Sequence, residues 1–177
     1  LGRSTSPLSV DAYFDETLFR RELETLFNPG PRYVGHALMV PEPGDYHALA
    51  HEGDGRVLVR NRRGIELISN VCRHRQAVML RGRGNSRNNV VCPLHRWTYD
   101  LQGQLIGAPH FEHDPCLNLN RYALTEWNGL QFERAGRDPM ADLAKLANRA
   151  DLDFSGYVYD RSIVHECDYN WKTFIEV

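Results

Sequence analysis

The 177-residue sequence predicts a mainly β protein of small antiparallel sheets, with helix confined to an N-terminal arm, a short connector and the last few residues. Three observations predict it. Between residues 33 and 133, short β-branched or aromatic runs alternate with turns bearing Gly, Asn and Asp. Helical apolar spacing occurs only before Asn28 and after Asp138. Two short knuckles, Cys72-Arg73-His74 and Cys92-Pro93-Leu94-His95, with 17 residues between them, stand where predicted strands end.

Asp15 is placed to cap a first helix whose apolar residues Phe19, Leu23, Leu26 and Phe27 share one face, and Asn28-Pro29-Gly30-Pro31 stops it. Residues 1–31 therefore read as a helical arm. The main domain, residues 32–137, carries predicted strands at 33–39, 46–50, 57–60, 65–71 and 89–91. Glu52-Gly53-Asp54-Gly55 and Leu101-Gln102-Gly103-Gln104 supply the residues that tight reversals need, so hairpins are expected. Gly82, Gly84 and Asn85 predict a loop between the knuckles. Asp138-Pro139 has the cap and first-turn residues of a second helix, with Leu143, Leu146, Ala147 and Ala150 along one side, so 138–150 reads as a connector. In the final stretch, 151–177, residues 157–167 predict a strand and 170–177 the start of a helix.

At 42% hydrophobic, the chain has enough apolar residues for one sizeable core. No apolar run approaches the length needed to cross a bilayer, and Leu1-Gly2-Arg3-Ser4-Thr5-Ser6-Pro7 lacks an apolar signal core. A cytoplasmic protein is expected. The sequence begins without Met and ends inside a helical pattern, which reads as a piece of a longer chain. Of the four cysteines, two lie in the knuckles, while Cys116 and Cys167 have no comparable spacing; a reducing compartment fits better than two disulfides.

The net charge of -2 hides an asymmetry: residues 60–96 hold nine arginines and one acid, Glu66, or +8, leaving -10 elsewhere. These arginines either pair with acids from other segments or form a docking face for an acidic electron donor.

Each knuckle supplies one thiolate and one imidazole. That mixed pairing points to a Rieske-type 2Fe-2S cluster held by Cys72, His74, Cys92 and His95, in which each knuckle gives its cysteine to one iron and its histidine to the other. Two ferric ions, two sulfides and two thiolates sum to zero with neutral imidazoles, so an electron enters more easily than in an all-thiolate cluster. The potential accordingly rises to roughly -150 to +300 mV from about -400 mV. Two Cys and two His also complete a zinc site, and a zinc-stabilised binding module is the rival from another class. Zinc-finger spacing, however, pairs Cys with Cys and His with His, whereas each knuckle here is mixed. His110 and His113 read as solvated loop histidines in preference to a second metal site.

The run Cys92-Pro93-Leu94-His95-Arg96-Trp97-Thr98-Tyr99-Asp100-Leu101, with Gly103 and Leu105 beyond it and Cys72-x-His74 before it, resembles the Rieske domain of ring-hydroxylating oxygenase large (alpha) subunits. Gly82-x-Gly84-Asn85, Ala108-Pro109 and Asn170-Trp171-Lys172-x-x-x-Glu176 extend the resemblance over nearly the whole chain. It implies a Rieske domain with two hairpin cluster-binding loops, followed by the start of an α+β helix-grip catalytic domain. It further implies electrons taken from a reductase or ferredoxin, His95 as the electron exit, and a mononuclear non-heme iron in residues not present here. A homotrimer with head-to-tail contacts, a small organic substrate and oxygen belong to the same picture, and neither nucleic acid nor membrane is expected as a partner. A stand-alone Rieske ferredoxin-like carrier is the alternative, although it leaves the connector and residues after 157 without a purpose.

The respiratory Rieske branch has an extra cysteine in each knuckle loop, at positions held here by Ala77 and Leu94, and a serine where Trp97 stands. With no hydroxyl at Trp97, a potential near the low end of the range, around -150 mV, is expected. Tyr99 reads either as a hydrogen-bond partner of a cysteine sulfur or as a core aromatic. Two departures from the family pattern stand out: Gln76 and Arg96 occupy positions where the family usually has glycine.

Overall fold

The computed structural model describes residues 8–134, 136–144, 146 and 150–176. Among the described residues, eleven strands form three antiparallel sheets: β1 (Arg32–His36), β2 (Asp45–Ala48), β3 (Arg56–Asn61), β4 (Gly64–Ser69), β5 (Arg83–Asn85), β6 (Asn89–Val91), β7 (Thr98–Asp100), β8 (Leu105–Gly107), β9 (Arg121–Tyr122), β10 (Leu124–Trp127) and β11 (Leu130–Glu133). The central sheet has the order β5-β2-β3-β4-β9, flanked by a β1-β11-β10 sheet and a β6-β7-β8 sheet. The mainly β expectation holds.

Strand β3 shows why the sheets stack. Side chains alternate across a strand, so Val57 and Val59 point to one face and Leu58 to the other. Val57, Val59 and Ile68 join a core with Val90, Trp97, Tyr99 and both knuckle cysteines. Leu58 and Leu67 instead pack with Val34, Val40 and Leu49. The central sheet is thus buried on both faces, which explains the uninterrupted apolar run Val57-Leu58-Val59.

The predicted loop at residues 82–85 is instead strand β5, which pairs with the free edge of β2 through Tyr46↔Gly84 and His47↔Arg83. Gly84 permits it, because a Cβ there would meet the Tyr46 hydroxyl at 2.8 Å. The turn at 101–104 forms as expected, with Gly103 at φ 82°.

Helix α1 (Glu16–Glu22) starts at Asp15, whose carboxylate accepts from the Leu18 N–H at 2.9 Å, and it continues into a π turn at Leu23–Phe27. The apolar stripe predicted to be its inner face is largely exposed at Phe19, Leu26 and Phe27, and the buried residue is Glu22. Its partners come from helix α3 (Trp171–Glu176): Lys172 Nζ donates to Glu22 at 2.7 and 2.8 Å and Trp171 Nε1 donates at 2.9 Å. Phe27 stacks edge-on to Trp171 at 5.1 Å, so the arm and the far end of the chain hold each other.

Helix α2 (Pro139–Leu143) is capped by Asp138, as its residues predict, but it is only five residues long. Leu146 is exposed beyond it, and Ala147 lies outside the described residues. The strand predicted at 157–167 does not form: the segment is extended, with Tyr157, Val158, Ile163 and Val164 exposed and no ladder partner among the described residues. Strand propensity reflects packing on a neighbouring strand, and none is supplied. Among the described residues no helix is long and apolar enough to cross a membrane.

Candidate metal centre

The two knuckles sit on two separate hairpin-like loops of matched geometry. In the first, Cys72 N–H donates to the Ala77 carbonyl at 2.9 Å and Gln76 N–H donates back to the Cys72 carbonyl at 2.9 Å. In the second, Cys92 N–H donates to the Trp97 carbonyl at 2.8 Å and Arg96 N–H donates to the Cys92 carbonyl at 3.1 Å. Each loop therefore turns back on its own cysteine and holds the histidine at its tip. Both turns need a left-handed residue, and Gln76 (φ 55°) and Arg96 (φ 61°) provide it.

The loops are anchored from beneath. The second grows from the β6–β7 hairpin, with Val90↔Tyr99 and Val91↔Thr98 in register. The first is fastened by Asn70, which is fully buried: its Nδ2 donates to the Asp54 carbonyl at 2.8 Å and the Leu80 carbonyl at 2.6 Å, and its Oδ1 accepts from Leu80 N–H at 2.9 Å. A Val71↔Val78 bridge closes the same neck. Asn70 is a positioning residue that sequence reasoning missed, since nothing in the residue type distinguishes a buried Asn from a loop one.

At the loop tips the rings of His74 and His95 lie 4.7 Å apart with 76° between their planes. Cys72 and Cys92 are buried in one core cluster, both free of disulfides. The four candidate ligands named from sequence are thus brought together as two facing pairs. Among the described residues no three His, Cys, Asp or Glu donors converge as they would on a single metal ion. Two facing pairs of unlike donors suit a binuclear group. His74 Nδ1 gives a further sign of fit: it is buried without a hydrogen-bond partner, which is rare unless something absent satisfies it.

The electrostatics favour ligand-competent forms on the imidazole side. Burial, then the His95 ring and then Arg75, pushes the His74 pKa down and keeps its ring neutral. Burial pushes the Cys92 thiol up, with the neighbouring Cys72 adding to it, so a bound cation would have to draw that proton off.

Tyr99 is fully buried, and its hydroxyl lies 3.5 Å from Cys72 Sγ while accepting from Arg73 N–H at 3.1 Å. It is both core aromatic and sulfur partner. Burial, followed by that contact with Cys72, pushes its phenol pKa up, so the hydroxyl keeps its proton to donate. Trp97, 1% exposed, stacks on His74 at 5.0 Å with 8° between planes. Phe111 meets both rings edge-on, at 5.9 Å from His74 and 5.2 Å from Trp97; it too was missed by sequence reasoning. His95 is exposed, and His110 and His113 are exposed outside the pair of loops.

Among the described residues only Arg81 of the nine arginines in 60–96 forms an ion pair, with Asp54 at 3.2 Å. Arg73, Arg75 and Arg96 stand exposed beside the two histidines. Among the described residues, these charges do not mainly have internal acid partners.

Residues 31–123 match the model of the Rieske [2Fe-2S] domain family. Putrescine 2-hydroxylase of Ralstonia nicotianae is 66% identical over 174 residues, covering 98% of this chain and 47% of that enzyme. Biphenyl 2,3-dioxygenase subunit alpha of Rhodococcus jostii is 32% identical over 128 residues, covering 72% of this chain and 27% of that subunit. Among solved structures, a naphthalene 1,2-dioxygenase aligns with a TM-score of 0.56 at 27% identity, over 72% of this chain and 31% of that one. The chain spans about half the length, or less, of the curated relatives it matches. The matched segment contains both loops and every strand from β1 to β9, and a family defined by a 2Fe-2S cluster removes the zinc module from consideration. Loops built alike, donors paired unlike and a family match across both lead to one conclusion: this chain belongs to the Rieske [2Fe-2S] domain family.

Proposed function

We propose that this chain is the cluster-bearing N-terminal part of the catalytic subunit of a Rieske oxygenase, and that it relays electrons from a reductase or ferredoxin towards a mononuclear non-heme iron in the rest of the subunit. The observation that carries the reading is the facing of the His74 and His95 rings at 4.7 Å over two buried free cysteines. Cys72, His74, Cys92 and His95 would hold the cluster, within a Rieske domain spanning residues 32–137. When bound, a 2Fe-2S group supplies reversible one-electron chemistry.

The chain's own residues divide the work around it. The two cysteines, buried with Tyr99 and Trp97, keep the sulfur side dry. His95 faces outward and is the electron exit, presenting its ring to whatever docks there. The exposed Arg73, Arg75 and Arg96 beside it favour an acidic surface on the approaching partner and speed its encounter. A homotrimer with head-to-tail contacts, in which one subunit's His95 faces the next subunit's iron, is the assembly we favour.

Similarity to putrescine 2-hydroxylase continues past residue 137 through the arm-bound helix α3, which supports the oxygenase over a stand-alone carrier. A second putrescine 2-hydroxylase, from Bordetella bronchiseptica, is 53% identical over 96% of this chain. The substrate we propose is therefore a small aliphatic amine of the putrescine kind, hydroxylated on carbon, in preference to an aromatic ring. The test is to supply the full-length protein with a ferredoxin-reductase pair, oxygen and putrescine, and to look for a hydroxylated diamine by mass spectrometry. No product from putrescine alongside product from biphenyl or salicylate would reverse the substrate assignment. Absence of iron and acid-labile sulfide would remove the electron-relay role altogether.

A further inference from the structure

Trp97 carries a feature that its place in the core does not explain. The indole is 1% exposed, yet its Nε1–H is buried without an acceptor. Buried donors are nearly always paired, because leaving one dry forfeits the hydrogen bond it made to water. No solvent reaches this atom, so any acceptor must lie inside the protein. The other unpartnered buried nitrogen at the loop tips is His74 Nδ1, on the ring against which Trp97 lies flat, 5.0 Å away with 8° between planes. Two orphans thus sit on two stacked rings, and Trp97 shares one core cluster with both buried thiols.

The stack itself restricts His74. Its imidazole is held by the Trp97 face on one side, by the edge of His95 at 4.7 Å and by the edge of Phe111 at 5.9 Å. Phe111 also braces Trp97 at 5.2 Å, and the Trp97 carbonyl accepts the Cys92 N–H at 2.8 Å. One residue is thereby tied to the histidine of the first loop and to the cysteine of the second.

We propose that Trp97 is a positioning residue for the cluster: its indole face fixes the plane of the His74 ring, and its Nε1–H donates to a sulfur of the bound 2Fe-2S group. A hydrogen bond to a cluster sulfur stabilises the added electron, so it moves the reduction potential upward. The inference rests on the cluster assignment, deepening it with a residue that is not itself a ligand.

Two variants of the full-length protein separate the parts. Trp97→Phe keeps an aromatic face and loses the donor; its reduction potential is expected to shift to more negative values, while the nitrogen hyperfine couplings of the reduced centre stay as in the wild type. Trp97→Leu loses both, so the potential shifts and the hyperfine pattern of one histidine changes as well. An unshifted potential in Trp97→Phe overturns the donor role, and an altered hyperfine pattern in that variant overturns the assignment of ring alignment to the aromatic face. Should Trp97→Leu fail to fold, Trp97→Tyr, which restores a face without an indole N–H, must reproduce the Trp97→Phe result. Iron and acid-labile sulfide are assayed in the same preparations: normal contents with unmoved spectra overturn the Trp97 proposal alone, whereas a wild type lacking both overturns the cluster assignment and this proposal with it.

Discussion

Gln76 and Arg96 occupy the same place in two different loops: each lies four residues after its cysteine, each donates its N–H to that cysteine's carbonyl, and each has a left-handed backbone, at φ 55° and 61°. A residue with a Cβ pays about 1–2 kcal/mol to sit there, and glycine does not. Both side chains are exposed.

Replacing either with glycine is therefore expected to stabilise the fold. Glycine's greater freedom in the unfolded chain takes back part of the gain, leaving about 0.5–1 kcal/mol per site. Thermal or urea unfolding measures it. A lower midpoint for Gln76→Gly would mean that its side chain makes a contribution the backbone argument lacks.

Tyr99→Phe removes the hydroxyl that lies 3.5 Å from Cys72 Sγ. A hydrogen bond to sulfur that strengthens on reduction by about 1 kcal/mol corresponds to about 40 mV, so the variant's potential should fall by that order. Protein-film voltammetry reads the shift directly. The respiratory-type serine is absent at Trp97, which makes Tyr99 the side chain expected to matter most on the Cys72 side.

Asn70→Ala deletes three buried hydrogen bonds at the neck of the first loop. It leaves the Asp54 and Leu80 groups without their partner, at a cost of about 2–4 kcal/mol. Iron content should drop with stability, and Asn70→Asp, which keeps one acceptor, should recover little because two donors are lost. Full iron loading of a stable Asn70→Ala protein would show that the loop holds its shape unaided.

The contact between arm and helix α3 should loosen in acid. Hydrogen bonds from Lys172 and then Trp171 hold the Glu22 carboxyl below its ordinary range, outweighing the opposing effect of burial. A depressed carboxylate gives stability that is present above its unfolded pKa and is lost as pH falls through the folded value, below the usual carboxylate range. Fluorescence of Trp171 should change over that acid window, and Glu22→Gln should abolish the step. A transition centred near neutrality would point to another group.

The grouping of Cys72, His74, Cys92 and His95 was legible because ligand chemistry demands particular side chains at short spacing, and these four stand out in one dimension as candidate ligands. What escaped depends on partners far along the chain. Glu22 finds Lys172 at a separation of 150 residues, which is why the arm buries a carboxylate while its leucines and phenylalanines stay outside. Residues 83–85 became a strand only because β2 offered an open edge, and residues 157–167 stayed out of a ladder for want of one. Phe111 carried no signal at all; its value lies in two ring contacts that no local pattern encodes.

The two-sided burial of β3 makes neighbours in sequence strangers in consequence. Val57 and Val59 look towards the cysteines, Leu58 towards the opposite layer. Truncating Val59 to Ala should bleach the colour expected of the proposed cluster before the fold melts, while truncating Leu58 should melt it with that colour intact until the end. A genetic screen scored by pigment would then collect alleles at every second codon of this strand.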